Sequence, residues 1–215
     1  REDPFVNVLP VNIKPPNISF ASQNLRSLNI STKNKITREK IFAITREKQD
    51  IILLCDLKLN TSVQKSAVHD VEKYFLLNGY KLYHNSKNST RGVGILISRK
   101  IAHTVSTCLC DNDGNIIVIE LNLDIGNEKL IVGSIYGTNQ NEEGFFYTLE
   151  QFLTQLKGPP IILGGDLNAT WDNRNVNENL DVHSMINIPS LFRTNKLRNI
   201  CHAFNLVDPF RSLYP

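Results

Sequence analysis

The sequence predicts an α/β fold: a two-sheet sandwich of mixed, largely antiparallel strands with helices on the outside. Strand-length apolar runs, such as residues 51–55 and 161–163, interleave with stretches of helical periodicity. Residues 116–123 and 129–136 are two β-rich runs whose short connection contains Gly126-Asn127, the composition of a tight hairpin turn. Hairpins mixed with helical connections favour two sheets packed face to face over one all-parallel, doubly wound sheet. A chain of 215 residues that is 41% hydrophobic has enough apolar surface for the core of a single domain.

Residues 1–16 carry Pro4, Pro10, Pro15 and Pro16 without sustained periodicity, as an extended leader or linker does, and the domain is expected over 17–215. From Ile18 to Asn24 apolar and small polar residues alternate, which reads as a half-buried strand with Asn24 at its carboxyl end. Helix formers fill 35–48 and place Ile36, Ile41 and Ile44 near one face; a buried strand follows over 50–56. Val63, Ala67, Val71, Phe75 and Leu77 recur at loose helical intervals before Gly79, a residue suited to ending that helix. Strands are expected at 81–84 and 93–98, then the hairpin. A helix over 142–156, a short buried strand over 160–164 and a helix over 191–204 complete the series.

Twenty-four basic against twenty-one acidic residues give +3, too small a surplus to identify a polyanionic partner. Cys55, Cys108, Cys110 and Cys201 form no C-x-x-C pair and no His/Cys zinc spacing, so they read as reduced thiols of an intracellular protein. No apolar run is long enough for a membrane span, and no membrane association is expected. Asn-x-Ser/Thr triplets begin at Asn17, Asn29, Asn60, Asn88 and Asn168; a chain rich in Asn generates these without being a secreted glycoprotein.

Catalytic groups on such a scaffold belong at strand ends, where side chains converge on solvent. Four endings qualify: Asn24; Asp56 after Ile51-Ile-Leu-Leu-Cys55; Tyr136 with Asn139; and Asp166 with Asn168 after Ile161-Ile-Leu-Gly-Gly165. A hard cation takes one or two carboxylates and keeps several waters, a role open to Asp56. Alternate residues of an extended segment project to one side, so Asp166-Leu167-Asn168 can aim a carboxylate and an amide at one phosphate. Taken singly, each has a plainer explanation: Asp and Asn are ordinary turn residues, and a strand-end Tyr commonly packs. Arg26, Arg91, Arg174, Arg193 and Lys196 are candidates for a phosphate-binding face, or equally for a solvated basic surface.

In order and spacing these segments resemble the endonuclease/exonuclease/phosphatase superfamily, and most closely the endonuclease domain of non-LTR retrotransposons. The resemblance spans about 17–215. Gln23-Asn24-Leu25-Arg26-Ser27-Leu28 is similar to the first-strand Asn motif and Leu54-Cys55-Asp56-Leu57-Lys58-Leu59 to the acidic motif. Ser134-Ile135-Tyr136-Gly137-Thr138-Asn139 is similar to the Tyr-x-x-Asn motif, and Gly165-Asp166-Leu167-Asn168 to the Gly-Asp-x-Asn motif. Gly92-Val93-Gly94-Ile95 and Leu206-Val207-Asp208-Pro209-Phe210-Arg211 resemble intermediate segments.

That resemblance implies a Mg²⁺-dependent nuclease, with Mn²⁺ as an alternative ion. It would nick double-stranded DNA to leave a 3′-hydroxyl for a reverse transcriptase in the same parent polypeptide, within the nucleus. Asp56 and Asn24 would hold the metal, Tyr136, Asp166 and Asn168 would be catalytic, and Asn139, Arg26 and Arg174 would contact the substrate. Other branches of the superfamily act on abasic DNA, RNA tails or phospholipids, and a binding module without catalysis shares the same scaffold.

Two departures matter. Asp56 stands where the family has Glu, one methylene longer, so either the backbone moves closer or a water bridges to the metal; Lys58 stands where His is frequent. The distal Asp-His motif is expected beyond Pro215 together with the last strands. His69, His84, His103, His183 and His202 match no such motif and read as structural or surface residues.

Overall fold

A computed structural model describes residues 17–28, 35–61, 64–87, 89–124, 126–137, 142–169 and 191–213; the expected leader lies outside them. The order is β1 (Phe20–Asn24), α1 (Lys35–Thr45), β2 (Ile51–Cys55), α2 (Lys65–Leu77), β3 (Tyr80–Asn85), β4 (Val93–Ser98) and β5 (His103–Cys110). There follow β6 (Ile116–Leu123), β7 (Glu128–Tyr136), α3 (Glu142–Gln155), β8 (Ile161–Asp166), α4 (Leu191–Ala203) and α5 (Pro209–Leu213).

The strands form two four-stranded sheets, ordered β1-β2-β4-β3 and β5-β6-β7-β8. β1 with β2 and β7 with β8 are parallel, while the other four pairs are antiparallel. The expected α/β sandwich is therefore present. Its layering follows from the period-two alternation of strand side chains. On β2, Ile52 and Leu54 meet α1 and α2, whereas Ile51, Leu53 and Cys55 face the second sheet. Ile117, Ile119 and Leu121 of β6 receive them, and Ile116 and Val118 of the same strand turn outward to Phe146, Leu149 and Leu153 of α3. Strands buried on both faces explain runs as uniformly apolar as 51–55.

The hairpin has the expected partners, with Leu123 opposite Glu128, and both Gly126 (φ 80°) and Asn127 (φ 52°) adopt the left-handed conformation that such a turn requires. Two helical faces differ from expectation. α1 buries Thr37, Ile41, Ile44 and Thr45, a true i, i+4, i+7, i+8 stripe, and leaves Ile36 exposed; Thr37 Oγ1 donates to the Leu28 carbonyl at 2.9 Å. α2 buries Val68, Val71 and Phe75 and exposes Leu77, while Val63 lies outside the described residues.

β5 and α5 have no counterpart in the sequence reading. β5 is an edge strand in which only alternate residues, among them Val105 and Leu109, are partly buried, and its register slips between Val105 and Thr107. A strand whose inward side chains are so weakly apolar gives little periodic signal.

The sheets are held close at one end. Ser134 Oγ on β7 donates to the Leu54 carbonyl on β2 at 2.7 Å, out of solvent. Gly164 on β8 lies against Leu53 and Ser22; a Cβ there would approach Leu53 Cδ1 to 2.5 Å. This close approach brings the carboxyl ends of the two parallel pairs together.

Candidate active site

Strand pairing continues past the ends of β1 and β2. The amides of Leu25, Ser27 and Leu28 donate to the carbonyls of Cys55, Asp56 and Leu57 at 2.8–3.1 Å. Asp56 has φ 59°, a left-handed conformation uncommon for a residue with a Cβ, and the residue is buried at 6% exposure. One oxygen, Oδ2, pairs with Lys58 Nζ at 3.1 Å. The other, Oδ1, is buried and accepts no hydrogen bond. An ionised oxygen left in that condition costs on the order of 1–3 kcal/mol or more, which a bound cation would offset.

The second half of the site comes from β7 and β8. Gly165 (φ 135°) packs its Cα onto the Ile135 carbonyl, where a Cβ would overlap, so only glycine permits this course into Asp166. Asp166 Oδ1 accepts from the Asn168 amide at 3.1 Å, and Oδ2 accepts from Asn24 Nδ2 at 3.0 Å. Asn168 Nδ2 donates to the Gly137 carbonyl at 2.7 Å, while Gly137 N donates to the Asp166 carbonyl at 2.7 Å. The Asp-x-Asn segment is thus a turn locked against the end of β7.

Asn24 joins the halves. Its Nδ2 reaches Asp166 and its Oδ1 accepts from the Arg26 amide at 3.1 Å, leaving one carbonyl lone pair uncommitted. Arg26 is exposed beside it on a loop held from below by Lys40 Nζ, which donates to the Leu25 and Ser27 carbonyls at 3.2 and 2.6 Å. Tyr136 lies in the field of both carboxylates: burial first, then Asp56 and Asp166, raise its hydroxyl above the ordinary value, so it stays protonated and able to donate at neutral pH. Cys55 lies beneath, and burial followed by the charge of Asp166 raises its thiol to about 12.

The structure therefore brings Asn24, Asp56, Tyr136, Asp166 and Asn168 to one end of the sandwich, with Arg26 at its rim. Asn139 and Arg174 lie outside the described residues. Arg193 is not on an exposed basic face: it is 7% exposed and its Nη1 donates to the Asn168 carbonyl at 2.9 Å. Lys40 and Arg193 were legible only as basic residues on helical stretches; their roles depend on which carbonyls the fold puts beside them. His84 pairs with Glu72 at 3.1 Å, and His103 accepts or donates with Tyr83 at 3.2 Å, structural positions both; His183 lies outside the described residues.

Among the described residues no three His, Cys, Asp or Glu side chains converge on one point. The Asp56 carboxylate suits Mg²⁺, which is commonly held by one or two carboxylates with waters and substrate phosphate completing its octahedron.

The family model described as the endonuclease/exonuclease/phosphatase family matches residues 21–201. The chain belongs to this endonuclease/exonuclease/phosphatase family. Members of the family are hydrolytic nucleases or phosphatases. No curated protein matches the chain in sequence. Among solved structures it is similar to the AP endonuclease of Leishmania major (TM-score 0.67, 17% identity, covering 92% of this chain and 69% of that one). It is also similar to a 3′–5′ exonuclease from Neisseria meningitidis (TM-score 0.56, 17% identity, 86% and 70% covered). A third is the endonuclease domain of TRAS1, a telomere-specific non-LTR retrotransposon (TM-score 0.53, 13% identity, 85% and 68% covered). At these identities the likeness establishes the endonuclease/exonuclease/phosphatase fold that the two sheets and flanking helices display.

Proposed function

We propose that the chain is a Mg²⁺-dependent endonuclease, able to use Mn²⁺, that hydrolyses a DNA phosphodiester bond to leave a 3′-hydroxyl nick, as in retrotransposon target-site cleavage. The reading rests on one juxtaposition: the unpartnered buried oxygen of Asp56 and the locked Asp166-Asn168 turn share one strand-end cluster with Tyr136 between their charges.

Asp56 Oδ1, with Asn24 alongside, would hold the ion, which when bound polarises a phosphoryl oxygen. Asp166, fixed by Asn24 and the Asn168 amide, orients the attacking water and draws on its proton. Asn168 keeps one amide hydrogen beyond its bond to Gly137, and Tyr136 keeps its hydroxyl proton; both donate to phosphoryl oxygens as charge develops. Arg26 at the rim, with Asn139 and Arg174, completes the substrate contacts in this reading. A reverse transcriptase in the same parent polypeptide would extend the 3′-hydroxyl in the nucleus.

Supercoiled plasmid incubated with the chain and Mg²⁺ should convert to open circles from which a polymerase extends, and the Asp166→Ala variant should leave it supercoiled. A second reading, binding without turnover, draws on the Lys58 ammonium against Asp56. DNA binding with no nicking in either metal, by this chain and by a form extended through the expected distal Asp-His motif, would establish it and overturn the enzyme. Release of phosphate from a phospholipid, with DNA untouched, would point to a different branch of the family.

A further inference from the structure

At the end of the first sheet away from Asp56, three turns meet: the one between α1 and β2, the one between α2 and β3, and residues 98–100 after β4. They are stitched together by backbone and side-chain bonds. Arg99 N donates to the Gly79 carbonyl and Ser98 N to the Asp50 carbonyl, both at 2.8 Å, and the buried Tyr80 hydroxyl donates to the Gln49 carbonyl at 2.7 Å. Between them lies a cavity of about 650 Å³ whose walls include Arg46, Lys48, Arg99 and Lys100 but no acidic residue. Arg46 pairs with Glu47 at 2.9 Å, which lies outside the lining. Phe42 stands at the wall with 60% of its surface exposed, a large ring that the α1 core stripe does not use.

We infer that this basic groove is a second nucleic-acid site, one that takes a single strand: phosphates against Arg46, Lys48, Arg99 and Lys100, and an unpaired base against Phe42. With Arg46 already paired to Glu47, Lys48, Arg99 and Lys100 put three further like charges on turns tied by their own hydrogen bonds, and a polyanion relieves their repulsion. Single-strand sites combine such a groove with an aromatic platform, because every unpaired base has a face to stack and a paired one does not. A groove of about 650 Å³ has room for a nucleotide or two. Arg99 and Arg46 add forked donors that match phosphate oxygens. The length of β2 alone, about 13 Å at the usual rise, separates the groove from Asp56, so an occupant there leaves the strand-end cluster open. The inference extends beyond the proposed nicking activity and needs neither metal nor cleavage.

The test uses a fluorescein-labelled oligothymidylate 12-mer carrying one 5-iodouracil, in EDTA so that no hydrolysis intervenes. Photocrosslinking the wild-type chain should label the peptide that carries Phe42. By anisotropy, the triple variant Lys48→Glu, Arg99→Glu, Lys100→Glu should bind at least about tenfold more weakly, and the affinity of the wild type should fall steeply with salt. Phe42→Ala should lose roughly fivefold or more, the scale of one base stack. Crosslinks confined to peptides bearing Asp56 or Asp166 would overturn the inference. So would unchanged affinity in a triple variant with native circular dichroism, or binding to anionic phospholipid vesicles but not to the oligonucleotide. None of these outcomes depends on whether plasmid is nicked.

Discussion

The two halves of the site are built in opposite ways. On the β7–β8 side, Asp166 accepts one bond at each oxygen, Asn168 is locked to Gly137, and the buried Arg193 secures its carbonyl. On the β1–β2 side, Asp56 is more deeply buried, yet one oxygen accepts nothing and the other leans on a lysine that is one-third exposed. One half is satisfied by the fold itself; the other is finished only by something the fold does not supply. That contrast is the strongest structural reason to place a cation at Asp56 and the water-orienting role at Asp166.

Substitutions on each side test the contrast. Asp166→Asn keeps the size of the side chain and removes its charge; plasmid nicking should fall by about 10²- to 10⁴-fold, the share a positioned base contributes, with urea-unfolding midpoints little changed. A similar loss on substituting a distant exposed carboxylate such as Glu150 would show that the assay reports net charge instead. Arg193→Ala removes a charged donor from the Asn168 carbonyl and should cost about 1.5–3 kcal/mol of unfolding free energy, with a lower kcat at near-constant KM. A variant as stable and active as the wild type would mean that the Asp166 half does not need that support.

Lys58→Ala tests the other half. The ammonium now screens Asp56, so its removal should tighten Mg²⁺ binding by about two- to fivefold, the range open to a part-exposed ion pair. Weaker binding in the variant would make Lys58 a helper of the metal instead of its competitor. The smallest effect concerns thiols. The hydrogen bond from Cys110 lowers Cys108 to about 7, and burial with Asp166 nearby raises Cys55 to about 12. Exposed and lowered, Cys108 should react with iodoacetamide first in the native chain, and the buried Cys55 only on unfolding. Equal rates in the native state would remove Cys55 from its place beneath the carboxylates.

Much of this was legible in the sequence where burial dictates composition. Ile51-Ile-Leu-Leu-Cys55 could hardly be anything but a strand covered on both faces, and Gly126-Asn127 marked the turn of the β6–β7 hairpin. β5 was not legible, since an edge strand of Thr, Ser and Cys with half-buried Val105 and Leu109 carries no clear alternation. Ile36 and Leu77 were misplaced because a loosely spaced apolar residue can sit on either side of a stripe until packing decides. At the site, the residues named by order and spacing that fall within the described chain did converge. Their supports, Lys40, Arg193 and Ser134, could not be found that way, because each acts on a backbone carbonyl distant in sequence. Asp56 itself takes a left-handed backbone, a conformation no composition announces.

The most direct measurement is a calorimetric Mg²⁺ titration of the wild type, Asp56→Ala, Asp56→Glu and Asp166→Asn in parallel. Binding should vanish with Asp56→Ala, survive in Asp56→Glu and persist in Asp166→Asn. An unchanged titration in Asp56→Ala, or loss of binding in Asp166→Asn alone, would place the cation on the wrong half of the site and contradict the account.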